Sequence, residues 1–269
     1  MIVVSCVNLK GGVGKTTLAV NLAAYFGNKG HKTLLVDLDP QTNATFSAIT
    51  VEEWQKHADK KGTVADLLGA RKHTNANAKQ KTLDEVVRKS IFKNVDLVPS
   101  HLDLFTIDLD MAGATARETR LKKALAASSA NYEIVICDCP PNLTIPTQNA
   151  LASSSHFVVP ISADFLSALG IGILLGRIKQ LGDDLDQPVE LAGIVISRVG
   201  RPAYHRDDIV QQLKHQFKGK VMDQQLTERV KVAEAASKQN SVFQHADSQS
   251  VAEFTAVCAE LSKRIGVAK

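Results

Sequence analysis

The sequence is poor in aromatic residues, has no CxxC cysteine pair and contains no long hydrophobic run. Aromatic residues make up 5% of its 269 residues, which is too few for an aromatic stacking platform. The longest apolar stretch, around residues 168–175, is interrupted by glycines and is far shorter than the ~20 residues of a membrane span. The net charge is only +4, which allows a polyanionic partner without requiring one. The cysteines form no CxxC pair, which favours a reduced, cytosolic protein, and they are Cys6, Cys137, Cys139 and Cys258.

Composition and apolar patterning predict a single α/β domain. Hydrophobic residues at 44% and charged residues at 22% are close to globular averages, which excludes wholesale disorder and a fibrous repeat. Continuous apolar runs, typical of buried parallel strands, alternate with segments of helical spacing. This alternation predicts a mostly parallel, twisted β-sheet covered by helices on both faces, and the N-terminal segment is interpreted as its first strand and not as a signal peptide. The predicted strands are 2–7, 33–36, 95–98, 134–137, 157–161 and 191–196, and the predicted helices are 17–28, 117–127, 145–153 and 166–181.

Two regions depart from this alternation. Residues 50–94 contain basic pairs and a polar tract at 74–82, and we predict a surface excursion with two short helices around 64–68 and 83–91. Residues 198–269 carry 12 basic and 8 acidic residues, whereas the preceding residues carry 20 of each. All of the net charge therefore falls in a basic C-terminal portion of one domain, 1–269.

A phosphate-binding loop is the clearest chemical signal. The run LKGGVGKTT at 9–17 follows an apolar strand and opens a helix, which is the context that such a loop requires. Its glycines let backbone N–H groups point at phosphate oxygens, the lysine after them balances phosphate charge, and the next threonine suits Mg²⁺. ATP and Mg²⁺ are the predicted cofactors, and a plain glycine-rich turn is the alternative. The predicted nucleotide-binding residues of the loop are Gly11, Gly12, Val13, Gly14, Lys15, Thr16 and Thr17.

The loop resembles the deviant Walker A loop of the ParA/MinD group of ATPases, in which the generic first glycine is replaced and a second lysine precedes the glycines. The resemblance continues in family order through VDLDPQTNAT (36–45), ETRLKKAL (118–125), YEIVICDCPPNL (132–143) and VKVAEAASKQNSV (230–242), and it covers 50–94 poorly. Its DPQ and DCPP sequences are most similar to those of the small, Soj-like ParA partition ATPases. The resemblance implies a P-loop NTPase fold and slow, partner-stimulated hydrolysis of ATP to ADP and phosphate.

The resemblance also assigns roles to charged residues near the loop. Lys10 would reach across a dimer to the partner's phosphates, as a catalytic group supplied in trans beside Lys15. Asp39 would orient the attacking water and belong to the metal site, and Asp37 would support the magnesium shell. Asp138, at the end of the strand predicted at 134–137, would hold Mg²⁺ through water, with Thr16 as a further metal residue. A turn-forming role stays open for Asp37 and Asp39, because aspartate is common before a turn proline.

Later segments are assigned to the adenine base and to DNA. Ser197 and Arg198 are candidates for base contacts, and 226–232 resembles another base-side loop. In Soj-like proteins a basic C-terminal surface, assembled across the ATP dimer, binds double-stranded DNA without sequence preference. No segment precedes the first strand that could form a helix-turn-helix, so we expect no operator specificity. The candidate DNA-binding residues, each of which could instead be an ordinary solvated side chain, are Lys231, Arg201, Arg229, Lys238 and Lys220.

Together these features predict an ATP-dependent homodimer that binds nonspecific DNA and partitions a plasmid or chromosome with a ParB-like stimulating partner. It would be cytoplasmic and associated with the nucleoid. The same mechanism could instead position a protein cargo such as a carboxysome or chemoreceptor cluster. We expect no membrane partner, because the apolar residues of 251–265 recur at core-facing spacing and only 262–269 could form an anchor.

Two further classes of function remain as alternatives. A metallocofactor protein like nitrogenase Fe protein requires bridging cysteines outside the buried strands, whereas Cys137 and Cys139 are interpreted as packing residues of one strand. An ATP-using ligase like dethiobiotin synthetase would have a small-molecule pocket and no affinity for DNA.

Overall fold

The computed structural model describes residues 1–70, 80–197 and 204–267. Its strands form one seven-stranded sheet in the order β3-β4-β2-β5-β1-β6-β7. Neighbouring strands are parallel except β3, which pairs antiparallel with β4 at one edge. This sheet confirms the predicted mostly parallel α/β fold. The strands are β1 (Ile2–Cys6), β2 (Thr33–Asp37), β3 (Arg88–Phe92), β4 (Val95–Val98), β5 (Ile134–Asp138), β6 (His156–Ser162) and β7 (Glu190–Ser197).

Helices cover both faces of the sheet. Alternate residues of each central strand pack into separate cores: Val3 contacts one helix layer, and Val4 contacts the other. In chain order, the helices of the described residues are α1 (Lys15–Asn28), α2 (Asn43–Phe46), α3 (Val51–Lys60), α4 (Val64–Leu68), α5 (Leu83–Val86), α6 (Ile107–Asp110), α7 (Arg120–Ala127), α8 (Ile145–Ser153), α9 (Phe165–Asp184), α10 (Tyr204–Gln216), α11 (Val230–Ser237), α12 (Val242–His245) and α13 (Ser248–Arg264). Helices α1 and α13 pack on one face, and α4, α7, α8 and α9 pack on the other.

The region 50–94 is more than the predicted surface excursion. It contains a helix that we did not predict, α3, and an edge strand, β3. The helix predicted at 83–91 ends at Val86, because Val87 is already extended and β3 follows. Leu67, Leu68 and Leu83 are fully buried in the main core. The described part of this region therefore belongs to the folded body of the domain.

The C-terminal helix α13 completes the core beside α1. Phe254, Val257, Cys258 and Leu261 are buried at helical spacing, in agreement with the core-facing pattern predicted from the sequence. All four cysteines are buried, and Cys137 and Cys139 pack in the core as predicted. Among the helices of the described residues, none has the length and apolarity needed to cross a membrane.

The parallel strands bring the charged residues of the sequence motifs to one edge of the sheet. β1, β2 and β5 are neighbours, and Asp138 is in register with both Cys6 and Asp37. Their carboxyl ends lie at the same edge, where the loop that precedes α1 begins. Ligands of open α/β sheets bind at the carboxyl ends of the strands, so the candidate site lies at this edge.

Candidate functional site

The loop between β1 and α1 has the geometry of a phosphate-binding loop. Gly12 and Gly14 have φ values of 73° and 81°, in the left-handed region that favours glycine. Gly14 is the N-cap of the 14-residue helix α1, whose first turn contains no acidic side chain. Because the first N–H groups of a helix have no intrahelical acceptor and lie at the positive end of its dipole, this helix start is suited to an anion.

Lys15 is the buried cation of the site. Its residue is 6% exposed, and its Nζ donates a hydrogen bond to the backbone oxygen of Lys10 at 3.0 Å, across the curl of the loop. Burial lowers the pKa of Lys15, and the nearby carboxylates of Asp138 and Asp39 oppose that effect. The lysine is therefore enclosed by the loop and faces two carboxylates, which is the arrangement expected of a group that binds phosphate.

Asp138 and Thr16 are suited to a magnesium ion. Asp138 is 0% exposed, and neither of its carboxylate oxygens has a hydrogen-bond partner of good geometry within the described part of the chain. Burial raises the pKa of Asp138 well above its usual range, the charge of Asp37 adds to this, and the nearby Thr16 hydroxyl opposes it. A buried carboxylate without a partner is costly unless a cation or solvent satisfies it. A hydroxyl and a carboxylate are the oxygen donors that Mg²⁺ prefers, so these residues fit the predicted metal.

We expect the Asp138→Asn variant to raise the unfolding temperature of the ligand-free protein. The raised pKa of Asp138 means that the folded state favours the protonated carboxyl. The free energy of unfolding of the wild type therefore falls as the pH rises from about 4, the pKa of an unfolded aspartate, towards the raised pKa of the folded state. Asparagine does not ionise, and the difference between variant and wild type should therefore grow with pH. At pH 8 we expect a gain of about 1–3 kcal/mol, or several degrees, measured by calorimetry.

The complementary measurement is made at pH 5, where we expect the stability gain of Asp138→Asn to be smaller. Asp59→Asn is the matched control, because Asp59 is an exposed carboxylate on α3. A variant whose unfolding temperature stays at or below that of the wild type at pH 8 would contradict the assignment of Asp138 as an uncompensated buried acid.

The turn after β2 holds its two aspartates differently. Asp37 Oδ2 accepts hydrogen bonds from the backbone N–H and the hydroxyl of Thr45, at 2.8 and 2.7 Å, and its Oδ1 accepts one from the N–H of Asp39 at 3.1 Å. Burial raises the pKa of Asp37 to about 7, against these hydrogen bonds. Within the described structure the oxygens of Asp37 are hydrogen-bonded by the turn and shape the segment that carries Asp39, and its support of the magnesium shell stays a prediction.

Asp39 lies in the cavity, as predicted. Its Oδ1 accepts a hydrogen bond from the N–H of Gln41 at 2.9 Å, and the residue is 6% exposed. The cavity has a volume of about 490 Å³. Of the residues predicted from sequence, it is lined by Gly11, Gly12, Gly14, Lys15, Thr16, Thr17, Asp39 and Ser197. The predicted phosphate, water-orienting and base-side residues are thus brought to one pocket, except Val13, whose buried side chain faces away.

Several lining residues were missed from the sequence. Gln41 is the third residue of the DPQ sequence and could have been found there, and Pro141 belongs to DCPP. Asn43 begins the short helix α2 and Ser47 follows it, and Phe254 comes from α13, more than two hundred residues after the loop. No local sequence signal marks Phe254, because only the packing of α13 on α1 brings it to the pocket.

Two segments that were predicted to lie near the adenine base meet at the cavity. Leu226, Thr227 and Val232 of the 226–232 stretch line it, and so does Ser197. The Ser197 hydroxyl contacts the backbone oxygens of Val13 at 2.5 Å and Ile161 at 3.1 Å, so it connects the end of β7 to the phosphate loop. A base contact by Ser197 stays a prediction, and Arg198 lies outside the described residues.

Lys10 is placed at the rim and not within its own pocket. Its Nζ forms an ion pair with Asp164 Oδ2 at 2.8 Å, and the two side chains are 42% and 38% exposed. Lys10 is not among the described residues that line the cavity. This position leaves Lys15 as the lysine of the phosphate site within one protomer.

The candidate DNA residues do not form one surface. Lys220 Nζ donates to the backbone oxygen of Leu191 at 3.1 Å, near the start of β7, whereas the cavity is at its end, about 20 Å away. Arg229 is a quarter exposed, pairs with Glu253 at 3.2 Å and lines the cavity, so it is turned inward. DNA contacts by Lys220 and Arg229 therefore stay predictions that no shared surface supports, and Arg201 lies outside the described residues.

Lys231 lies in the first turn of α11, and Lys238 directly follows the last residue of that helix. Lys231 is 57% exposed and pairs with Glu234 at 2.7 Å, and the Lys238 Nζ lies 2.8 Å from His245 Nε2. Val232, Ala233 and Ala236 of α11 line the cavity. Helix α11 therefore carries cavity contacts and one of the predicted DNA lysines, and a second lies at its C-terminal end.

Comparison with known proteins agrees with this site. Residues 1–191 match a family model described as an AAA domain. The chain is 33% identical over 231 residues to the chromosome-partitioning ATPase Soj of Treponema pallidum, covering 86% of this chain and 85% of the relative. Among solved structures, the putative plasmid partition protein of Borrelia burgdorferi bound to AMPPNP has a TM-score of 0.80 at 20% identity, covering 98% of this chain and 99% of that one.

A second solved structure is similar at higher sequence identity. The cobyrinic acid a,c-diamide synthase of Mycobacterium smegmatis, with a bound ATP analog and magnesium, is 26% identical with a TM-score of 0.73, covering 88% of this chain and 92% of that one. The family match over more than half of the chain, the partition ATPase relative and the phosphate-loop geometry agree with one another. The chain belongs to the ParA/MinD-type family of P-loop ATPases.

Proposed function

We propose that this ATPase closes into a homodimer on two ATP·Mg²⁺, that the closed dimer binds double-stranded DNA without sequence preference, and that a ParB-like partner stimulates hydrolysis and release. Such cycling would partition a plasmid or chromosome from the nucleoid. The relatives support the partition-type activity, since the Treponema pallidum protein is a chromosome-partitioning ATPase. The bound ATP analog and magnesium of the Mycobacterium smegmatis structure support the two cofactors.

The observation that carries the proposal is the separation of the two lysines of the loop. Lys15 is enclosed in the cavity, whereas Lys10 is at its rim, half exposed and paired with Asp164. A rim lysine can approach the phosphates of a facing protomer when two cavities meet, and a cation supplied in trans is worth on the order of 10³–10⁵ in rate in other NTPases. Because Lys10 would contact the phosphates of the partner protomer, its position favours a dimeric ATP-bound form.

Within one protomer, each residue of the cavity has a task. The N–H groups at the start of α1 and the Lys15 ammonium bind the phosphates, and Thr16 with Asp138 would hold Mg²⁺. When bound, the ion neutralises charge on the phosphate oxygens. Asp39 is fixed by the Gln41 N–H on its Oδ1 and orients the attacking water with its carboxylate. The surrounding apolar residues, such as Phe254 and Leu226, limit access of bulk water.

The proposal is tested by the ATP dependence of assembly and of DNA binding. Sedimentation velocity with ATP, Mg²⁺ and no DNA should show a dimer, and the protein with ADP should remain a monomer. The ATP form should co-sediment equally with two DNA fragments of unrelated sequence. A protein that stays monomeric with ATP, or that binds one fragment selectively, would contradict the proposal.

We expect the Lys231→Glu variant to keep its basal ATPase activity and to lose DNA retention at moderate salt. Each protomer gives up one neutralised phosphate, so the slope of log K against log salt should fall by about 2 per dimer, and affinity near 0.15 M salt should drop at least about tenfold. Reversed charge beside Glu234 should cost little helix stability, because solvent screens both side chains. Filter binding over a salt series measures both quantities.

Lys179→Glu is the matched control for Lys231→Glu. Lys179 also lies on a helix, is 77% exposed and pairs with Asp183 at 2.7 Å, but it belongs to α9, outside the basic C-terminal portion. Both variants change the net charge equally. If they lose DNA affinity to the same extent, binding depends on total charge and the assignment of Lys231 fails.

A further inference from the structure

The backbone of Asp39 is hydrogen-bonded on both sides by buried groups. Its N–H donates to Asp37 Oδ1 at 3.1 Å, and its carbonyl oxygen accepts a hydrogen bond from the Ser100 hydroxyl at 2.6 Å. Ser100 is 0% exposed and follows β4, which lies beside β2 in the sheet. The Ser100 hydroxyl therefore makes a contact from a neighbouring strand to the segment that presents the Asp39 carboxylate.

Ser100 is itself fixed by three separate elements. Its N–H donates to Thr45 Oγ1 at 2.9 Å, and the same hydroxyl of Thr45 donates to Asp37 Oδ2 at 2.7 Å. Its carbonyl oxygen accepts a hydrogen bond from the indole N–H of Trp54, on α3, at 2.9 Å. The preceding residue, Pro99, accepts a hydrogen bond from Val64 of α4 at 2.9 Å. Helices α3 and α4, in the region that we predicted to be an excursion, thus buttress the turn of Asp39.

The Trp54 ring is also held in place by its neighbours. It stacks on His101 with a centroid separation of 5.5 Å and meets Phe46 edge to face at 5.6 Å. Side chains that are packed and hydrogen-bonded in this way cannot change rotamer independently. The hydrogen-bonded chain from Trp54 through Ser100 to Asp39 is therefore a rigid support.

We infer that Ser100 is a positioning residue for the hydrolytic step: its hydroxyl sets the orientation of Asp39 and so the placement of the attacking water. This inference rests on the proposed function, in which Asp39 orients that water. Ser100 is not among the described residues that line the cavity, so in this inference it acts through Asp39. Because catalysis depends steeply on geometry, loss of the hydroxyl should reduce turnover while leaving nucleotide affinity intact.

The test compares steady-state hydrolysis by Ser100→Ala and wild type over a range of ATP·Mg²⁺ concentrations. We expect kcat to fall about tenfold and KM for ATP to stay within about twofold, since a 1 Å misplacement can cost as much as 10² in rate. Ser154→Ala is the matched control. Ser154 is also 0% exposed and its hydroxyl donates to a backbone oxygen, that of Ala150, at 2.8 Å, but it lies at the opposite edge of the sheet. Its kcat should equal that of the wild type.

A double-mutant comparison separates positioning from a general loss of stability. In the Asp39→Ala background, Ser100→Ala should cause no further fall in kcat, because the group that it positions is gone. An equal tenfold fall in both backgrounds, or an unchanged kcat in Ser100→Ala, would overturn the inference while leaving the proposed function intact. Normal hydrolysis by Asp39→Ala would refute the water-orienting role in the proposed function and this inference with it.

Discussion

The Lys15→Ala variant is expected to lose ATP binding. Lys15 is the enclosed ammonium of the phosphate loop, with its Nζ 3.0 Å from the Lys10 backbone oxygen and the carboxylates of Asp138 and Asp39 nearby. Without it, the phosphates would lie near the carboxylates of Asp138 and Asp39, with no ammonium group at the start of α1 to offset their charge. Removing one partner of such a charged contact costs about 2–5 kcal/mol, which is roughly a thirtyfold to several-thousandfold loss of affinity. Calorimetric titration with ATP and Mg²⁺ measures it directly.

Lys29→Ala is the control for Lys15→Ala. Lys29 follows the other end of α1, is exposed and is not among the described residues that line the cavity, so its replacement removes the same charge far from the phosphate loop. Its affinity for ATP should match that of the wild type. Cooperative thermal unfolding of ligand-free Lys15→Ala shows that the variant is folded. ATP affinity of the folded variant within about threefold of the wild type would remove the phosphate-loop assignment.

The sequence is sufficient to predict those strands that are buried on both faces. Continuous apolar runs predicted six strands correctly, because central strands such as β1, β2 and β5 are covered on both faces and most of their residues are apolar. The edge strand β3 was missed for the opposite reason. Its sequence, RKSIF, is half exposed and paired on one side only, so it resembles the polar end of a helix. An edge strand has a weak sequence signal.

Helix α3 was missed because its sequence is mostly polar. Only His57 and Ala58 are buried within it, and Trp54 packs partly against the core. A usable signal was present nonetheless: Thr50 and Glu53 form a capping box at its start, a pattern that is visible in the sequence as T-x-x-E. The start of this helix can therefore be predicted from its cap, although apolar periodicity does not show it.

The site divides in the same way between local and nonlocal information. The phosphate loop could be assigned from nine consecutive residues, because its chemistry depends on backbone turns that local glycines permit. The support of Asp39 could not, since Asp37, Thr45 and Ser100 meet only after β4 pairs with β2. For the same reason Lys220 and Lys231, close in sequence, were grouped into one DNA surface although the fold sends them to opposite edges of the sheet.

Asp39 is the residue whose replacement should separate binding from turnover most completely. It lines the cavity, is almost fully buried, and lies in a turn that Asp37 and Ser100 fix on both sides. None of these contacts involves the phosphate loop itself, so the loop and Lys15 should remain intact when the Asp39 carboxylate is removed. ATP binding and closure of the dimer should therefore survive, whereas orientation of the attacking water should not.

We accordingly expect Asp39→Ala to form an ATP dimer that stays on DNA and does not turn over. Loss of a positioned acid or base costs about 10²–10⁴ in rate, so phosphate release should fall by at least about a hundredfold while sedimentation still shows a dimer. Asp39→Asn, which keeps an oxygen for the Gln41 N–H but lacks the negative charge, should behave alike and shows that the turn is preserved. Asp59→Ala, which replaces an exposed aspartate on α3, is the matched control and should hydrolyse ATP normally.

If Asp39→Ala hydrolyses ATP at the wild-type rate, another group orients the water. If it is monomeric with ATP, the carboxylate is needed for closure of the dimer. Because DNA release in the proposed cycle follows hydrolysis, a trapped dimer must also stay on DNA longer than the wild type after free ATP is removed.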